Sequence, residues 1–599
     1  MSADKPLDVR VAFKIQGVES KLHVLNFQAE EGLSRLYQLE VDLACESSDL
    51  SFEQIMGSKA LFGLKNDQGT HFLHGIVCRF SLLERARNHT IYHATVVPRA
   101  WRLLHRHDCR IFQNKSIKEI VQEVLQKAGV DHTFRVKGNQ PLLKREQCVQ
   151  YRESDWNFVC RLLEEEGFFY YFEHEQGKHT LHIGNDLHLH PKIPGLSTLG
   201  YHDGAPLTVG AEHIFSWRYE ENIRTGKVTL NDYNFQKPAL DQKEDDKAER
   251  DADLEDYDYP GLYELPPAGK GLAGIRLEEQ QVPLQLASGR SDSIRLRSGY
   301  SFTLDGHHRK ALNDKEYLLT RVHHVGEKHD DLEGGAISNR IRYSNSFSVI
   351  PRATPYRPPR VTPKPFVQGA QTAVVVGPPG EEIYTDKHGR VKVHFHWDRL
   401  DKRNQDSSCW IRVSQLWAGQ GWGAMFIPRI GQEVIVDFLE GDPDRPIITG
   451  RVYHAQNVPP YGLPAEKTKS TIKSNSTPGG GGSNELRFED KKGQEQVYIH
   501  AEKDQDQVIE NDHTIKIGND QTRTIEHNRT TTIVDGDDTF TIKKGDQVLT
   551  LKSGDQTVSV TGKIAIDATS SITLTCGAST IKLDPGKIAI NAPLVKINC

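Results

Sequence analysis

Ser470 and Lys473, and again Ser579 and Lys582, bracket the tetrapeptide Ser-Thr-Ile-Lys, the Ser-x-x-Lys pattern of serine acyl-transfer enzymes. That chemistry needs the lysine one helical turn from the hydroxyl it activates. The second copy lies inside a strand repeat and the first in a polar neck, so both read as chance. His394 and His396 in HFHW fall on one face of a strand, a spacing that suits metal binding. No third ligand is near in sequence, and a strand with a polar face explains them. His188 and His190, His307 and His308, and His323 and His324 read the same way, and no HExxH occurs. Glu164, Glu165 and Glu166 suggest the paired carboxylates of a glycosidase, but Gly167 follows and the run reads as a solvated helix end. PGGGGSNE (Pro478 to Glu485) lacks the Lys-Ser/Thr of a phosphate loop and reads as a flexible turn. The cysteines at 45, 78, 109, 148, 160, 409, 576 and 599 form no CxxC pair, which predicts reduced, mostly buried thiols. Neither a catalytic site, a metal site nor a cofactor is expected.

The elements that carry these residues fall into blocks. A chain of 599 residues and 67.6 kDa is too long for one core. Its formal charge of -6, with no basic block, argues against nucleic acid as a partner. The start, MSADKPLDVRVAFKIQG, has charges throughout and no apolar signal-peptide region, and no run approaches the roughly 18 apolar residues of a membrane span. Cytoplasmic synthesis is expected, with any export left to a dedicated machine.

Up to about residue 350 strands mix with a few helices. KVTLNDYNF (Lys227 to Phe235) and HTIYHATVV (His89 to Val97) alternate as strands do. In KSIKEIVQEVLQKAG, Ser116 and Glu119 make a capping box, and Ile117, Ile120, Val121, Val124 and Leu125 form one stripe before Gly129. SDWNFVCRLLEEEG keeps the same spacing through Trp156, Val159, Cys160 and Leu163, and ends at Gly167. Six prolines in the fifteen residues from Pro351 to Pro365 predict an extended linker. Residues 367–464 then read as all-β, with GRVKVHFHW, CWIRVSQLW, GAMFIPRIGQEVIVDFLEGD and RPIITGRVY separated by turns, which suits a small Greek-key barrel of the OB type.

A repeat closes the chain. Turn pairs at Asn511-Asp512, Asn519-Asp520, His527-Asn528, Gly536-Asp537, Gly545-Asp546 and Gly554-Asp555 step by eight and then nine residues. Between them an apolar i, i+2 pair recurs: Ile515 and Ile517, Phe540 and Ile542, Leu549 and Leu551, Val558 and Val560, Ile564 and Ile566. The series continues with Ile572 and Leu574, Ile581 and Leu583, Ile588 and Ile590, and Val595 and Ile597. Period two puts each pair on one face. One stripe without a covering layer cannot form a core from a single chain, whereas three intertwined chains, each supplying one wall of a prism, can. A calcium β-roll needs G-G-x-G-x-D, and a single Gly at most precedes each Asp here.

With hub, small barrel, neck and repeat in this order, the chain resembles the VgrG family, the spike proteins of bacterial type VI secretion, which in turn resemble a fused hub and spike of contractile-tailed phages. HGIVCRF (74–80), VVPRAWRLLHRHDCRIFQNKSIKEIV (96–121), QYRESDWNFVCRLLEEEGFFYYFEHE (150–175), GRVKVHFHWDR (389–399), PRIGQEVIVDFLEGDPDRPIITGRVY (428–453) and NELRFEDKKGQEQVYIHAEKD (484–504) carry the likeness. It implies a mainly β, multidomain protein. An α+β hub (1–366) would hold two related barrel-like subdomains, followed by an OB-fold (367–464), a neck (465–504) and an intertwined, triple-stranded β-helix needle (505–599). It further implies a homotrimer whose hub meets a hexameric Hcp tube with near-sixfold symmetry. A PAAR-type cap would sit on the end made by Val595, Ile597 and Cys599, with baseplate proteins, effectors or their adaptors as further partners and the target envelope touched in passing. The valine-glycine wording of the family is diluted here, and PLVKINC ends the sequence on the last strand, so no appended effector domain is expected in it. A trimeric glycan-binding adhesin or tail fibre, and a cell-wall hydrolase, are the rival readings.

Overall fold

Alternating apolar residues put most of the first part of the chain into strands, and the longest ladder closes on itself. The computed structural model describes residues 8–85, 89–136, 142–202, 212–328, 340–400 and 402–597. Twelve strands between Asp8 and Pro351 form a ring, but Lys315–Glu327 and Arg340–Pro351 also pair with each other across it, from Tyr317 opposite Pro351 to Glu327 opposite Arg342. This hairpin divides the ring in two. Its end at 321–327 and 340–342 pairs with His23–Gly32 and Asp8–Ile15 and closes one barrel. Its other end, 315–318 and 345–349, pairs with Ser301–Asp305 and Gln285–Ser291 and closes a second. Each barrel has its own core, Val11, Phe13, Phe62, Tyr92 and Tyr343 in one and Phe302, Leu304, Leu318, Phe347 and Val349 in the other.

An α/β layer is inserted between the strands Thr90–Val97 and Thr198–Tyr201. Its helix Ile117–Lys127 starts where the capping box predicts: Ser116 Oγ accepts from the Glu119 N–H, and the Glu119 carboxylate accepts from the Ser116 N–H at 2.7 Å. The helix Asp155–Glu165 is capped by Ser154. Gly129 and Gly167 follow the two helices with φ of 64° and 69°, the left-handed turn that glycine makes without a Cβ clash. A second insertion holds the helix Pro266–Gln281 on the small sheet of Lys227–Leu230, Glu244–Lys247 and Glu255–Asp258. The strand expected over Lys227 to Phe235 therefore ends at Leu230, where the chain turns to pass under Tyr263.

The proline-rich segment is docked rather than loose. Arg357 pairs with Glu278 at 2.6 Å and donates to the carbonyls of Gly167 and Asn185, while Tyr356 is buried against the second core. Beyond it five strands run in the order Lys392–Phe395, Gln371–Val376, Glu433–Phe438, Pro446–Val452, Arg412–Val413. Val391 and Ile411 exchange backbone hydrogen bonds of 3.0 and 2.8 Å, joining the two edges into a small barrel around Val375, Val393, Phe395, Val434 and Ile448. This module is fixed to the hub: Asp444 accepts from the Val149 N–H at 2.6 Å, and Lys364 reaches Asp442 and Asp444 at 2.7 and 2.9 Å.

Contacts divide the chain between Asp504 and Gln505 into two compact units. The first ends in an antiparallel meander of Lys469–Lys473, Glu485–Glu489 and Gln496–His500. In the second, residues 505–571 contain no strand within the chain, and three strands, Ile572–Cys576, Ser579–Asp584 and Lys587–Asn591, then pair as another meander. The end of the repeat thus departs from the expected pattern: two tight turns at Gly577 and Gly586 let its backbone groups pair locally.

Candidate functional site

Among the described residues, one extended feature that a single chain leaves unsatisfied is apolar. All the paired aliphatic and aromatic residues from Ile515 to Ile566 stand exposed, Phe540 and Ile566 at 70%. In the four pairs Ile515/Ile517, Phe540/Ile542, Leu549/Leu551 and Val558/Val560 the second member is the less exposed; Ile564/Ile566 reverses this. The terminal meander gathers its residues into two rows on one face, Ile572, Leu583 and Ile588, and Leu574, Ile581 and Ile590. Of these only Ile572 is partly covered. Val595 and Ile597 are exposed as well, and Cys599 lies outside the described residues.

The neck meander repeats this construction, which sequence reasoning missed. Ile472, Leu486 and Ile499 form one row and Phe488 and Val497 another, all exposed, while Thr471, Arg487 and Tyr498 occupy the opposite face. CWIRVSQLW, expected to be a strand, forms one only at Arg412 and Val413, beside the bridge of Ile411 to Val391. Leu416 and Trp417 instead project outward with Trp422, Met425 and Phe426. PGGGGSNE is no free turn: Glu382 accepts from Thr477 Oγ1 at 2.6 Å and from the Gly479 N–H at 2.7 Å.

The candidate chemical groups are dispersed. Both Ser-x-x-Lys segments lie on strands, where Lys473 turns to Glu485 and Lys582 to Asp584. His394 is buried, whereas His396 lies beyond the strand end and bonds Thr372 Oγ1 at 3.1 Å. His190 stacks on Phe169 and meets the Gly299 carbonyl at 3.0 Å; burial pushes its pKa down to about 3. His307 stacks on His308. The glutamate run is not solvated. Glu164 accepts from the N–H groups of Val361 and Thr362 at 3.1 and 2.9 Å, and Arg145 pairs with Glu165 at 2.9 Å and Glu166 at 3.3 Å. Burial alone would raise the Glu165 carboxyl, but the guanidinium of Arg145, with Lys364, outweighs it and holds the pKa at about 2.

One cluster does converge. Glu31, His71 and His324, all buried, bring one ligand atom each to within 4.8 Å of one another. Glu31 Oε1 is 3.2 Å from Nε2 of each histidine. Burial opposes ionisation of Glu31, yet the facing imidazoles of His324 and His71 hold its pKa well below the carboxylate range; burial pushes His71 down to about 4. His323 and His324 thus diverge to opposite sides of their strand, and the partners of His324 lie far away in sequence, out of reach of any spacing rule.

Comparisons place these features in a family. Residues 30–330 match the family model of the phage tail baseplate hub, 380–453 that of the type VI secretion system/phage-baseplate injector OB domain, and 470–583 that of the bacteriophage T4 gp5 C-terminal trimerisation domain. The type VI secretion system spike protein VgrG1a of Pseudomonas aeruginosa is 42% identical over 590 residues, 93% of this chain and 87% of that protein. The chain belongs to the VgrG family. Another member, VgrG1b of the same organism, is 42% identical over 84% of this chain and 69% of its own length. The actin cross-linking toxin VgrG1 of Vibrio cholerae is 41% identical over 86% of this chain, which spans 48% of that longer protein. Among solved structures, the E. coli c3393 protein, a type VI secretion component similar to T4 gp27 and gp5, shares the fold at a TM-score of 0.54 and 22% identity, over 74% of this chain and 99% of that one. The Francisella PdpA-VgrG complex does so at 0.52 and 10%, over 84% and 81%. This VgrG-family chain is thus a type VI secretion spike protein, mainly β, with hub, OB and trimerisation segments in the order its sequence implies. Spike proteins of this kind are structural, and among the described residues no helix is long and apolar enough to cross a membrane.

Proposed function

We propose that three copies of this chain form a puncturing spike: the repeat of 505–599 intertwines as a needle, and the hub docks on a hexameric Hcp tube. The observation that carries this reading is the exposed apolar stripe from Ile515 to Ile590 on a backbone that has no strand ladder of its own between Gln505 and Ser571. Backbone amides and carbonyls need partners once they leave water, and three equivalent chains supply both those partners and the covering layer. The rows at Ile472, Leu486 and Ile499, and the outward Trp417 and Trp422, face neighbouring copies in the same assembly. Domain limits of 1–366, 367–464, 465–504 and 505–599 follow from this division of labour.

Two barrels in each of three hubs present six to the tube. Val595 and Ile597 belong to the surface that receives a PAAR-type cap, while baseplate proteins and effectors or their adaptors attach to the assembled particle. Assembly takes place in the cytoplasm, and the type VI machine then expels the spike through the target envelope. Function is mechanical, with strand edges paired between chains. To test it, purified spike is mixed with tube protein and with cap protein. The double variant V595D/I597D is expected to lose the cap while keeping its trimeric mass and its tube binding; undiminished cap binding would contradict the tip assignment.

A further inference from the structure

The two hub cores meet at a polar waist. Along the strand His23–Gly32 and the residue after it, Ala29 belongs to the first core and Leu33 to the second, with Glu31 between them; on the strand Arg340–Pro351, Asn345 separates Tyr343 of the first core from Phe347 of the second. His324 sits directly opposite Asn345. A barrel interior normally fills such positions with apolar side chains, so three buried ligand-type groups here call for an account.

We propose that Glu31, His71 and His324 bind a zinc ion at the waist between the two barrels. The hydrogen-bond geometry carries the inference. His71 Nδ1 faces the carbonyl oxygen of Ile294 at 3.0 Å, an acceptor only, so Nδ1 carries the proton and donates it. Its buried Nε2 is then unprotonated and cannot donate to Glu31 Oε1, 3.2 Å away, and among the described residues no donor reaches it. The ring is oriented from behind, and its free nitrogen points into the cluster. His324 is oriented from behind as well: Nδ1 is held by the Tyr343 hydroxyl at 2.6 Å, while Nε2 hydrogen-bonds Glu31 Oε1 at 3.2 Å, a bond that an ion between them would replace. Histidine ligands of metal ions are held in this way, with the second nitrogen on a carbonyl or another outer partner.

Ligands at about 2.0–2.2 Å from a common tetrahedral ion lie about 3.3–3.6 Å apart, close to the 3.2 Å between Glu31 and each imidazole; the two imidazole nitrogens, within 4.8 Å of each other, would draw together on the ion. Two nitrogens and one carboxylate suit zinc rather than calcium or magnesium, which prefer all-oxygen shells. Water, or the second Glu31 oxygen, completes four-coordination. Arg297, held on the Thr70 carbonyl at 3.1 Å, places an opposing positive charge beside His71. The neighbouring histidines are spent otherwise: His174 Nδ1 and His179 Nε2 accept from the backbone N–H groups of His74 and Arg99 at 3.1 and 3.0 Å. A bound ion would tie together three strands that belong to different parts of the double barrel.

The test uses full-length spike made without a polyhistidine tag in zinc-supplemented medium and dialysed against metal-free buffer. Elemental mass spectrometry is expected to find about one zinc per chain, lost in E31Q and in H71N and retained in H179N. Tyr343→Phe, which removes the outer partner of His324 together with a bond from Asn345, whose amide also donates to the Ser293 carbonyl, is expected to weaken zinc about 10–100-fold against a chromogenic chelator. If E31Q and H71N do not fold, the wild-type content and the Tyr343→Phe titration decide. Wild-type protein that holds no zinc and takes up none on titration overturns the proposal, as does zinc kept by both folded ligand variants.

Discussion

Ile581→Asp is the sharpest perturbation of the needle. Ile581 lies on the central strand of the terminal meander, opposite Leu574 on one side and Ile590 on the other, and is 41% exposed on a single chain. Covering that remainder in a trimer transfers an area worth on the order of 1–2 kcal/mol per side chain at about 25 cal/mol per Å2. Aspartate forfeits this and adds the desolvation of a carboxylate, several kcal/mol per ion as an order of magnitude. With three such charges around one axis, the loss per trimer is on the order of 10 kcal/mol, comparable to the whole stability of an ordinary domain. Ile581→Val, which costs about 0.5–1.5 kcal/mol per chain, leaves assembly intact, and so does Thr580→Asp, on the opposite face of the strand. Limited proteolysis of the full chain, read by gel, is the assay. The wild type, Ile581→Val and Thr580→Asp are expected to leave a resistant stalk fragment and Ile581→Asp none. A resistant stalk in Ile581→Asp would refute the inward assignment of the stripe.

Three further outcomes follow from the same structure. Glu164→Ala removes the carboxylate that holds the Val361 and Thr362 amides; charge-assisted bonds contribute about 1.5–3 kcal/mol each, so trypsin should cut the Arg360–Val361 bond faster, and an unchanged rate would mean the segment is held by other contacts. Glu165, held at about 2 by Arg145 against the effect of burial, has a folded pKa below its unfolded one. Its contribution is therefore complete above about pH 4.3 and lost as the pH falls through 2. Glu165→Gln should lower stability at pH 7 by about 1–3 kcal/mol, with the gap in melting temperature narrowing from pH 5 toward 2; Glu164 and Glu166, whose pKa values burial raises, act in the opposite sense. Gly545 turns with φ of 111°, so Gly545→Val should cost about 1–3 kcal/mol per chain and lower the needle's melting temperature, which an unshifted melt would contradict.

What the sequence made legible was local or periodic. Ser116 and Glu119 are three residues apart, and the cap they form needs nothing from the rest of the fold. The repeat shows itself because Ile515, Phe540 and Leu549 recur with their turns. The shared hairpin of the double barrel was hidden, since Asp8–Ile15 pairs with a strand more than three hundred residues on. The helix Pro266–Gln281 was masked by Gly269, Gly271 and Gly274, poor helix formers that packing on a sheet overrides. The glutamates at 164–166 read as solvated because the linker that folds back onto them is distant in sequence. Glu31, His71 and His324 fell outside every motif for the same reason: three different strands bring them together.

The trimer stands or falls on sedimentation of the native full-length protein. A particle of three times the 67.6 kDa chain mass is expected, unchanged on dilution. A folded, stable species of one chain mass would mean that the stripe from Ile515 to Ile590 finds its cover within a single chain, and would contradict the interwoven needle.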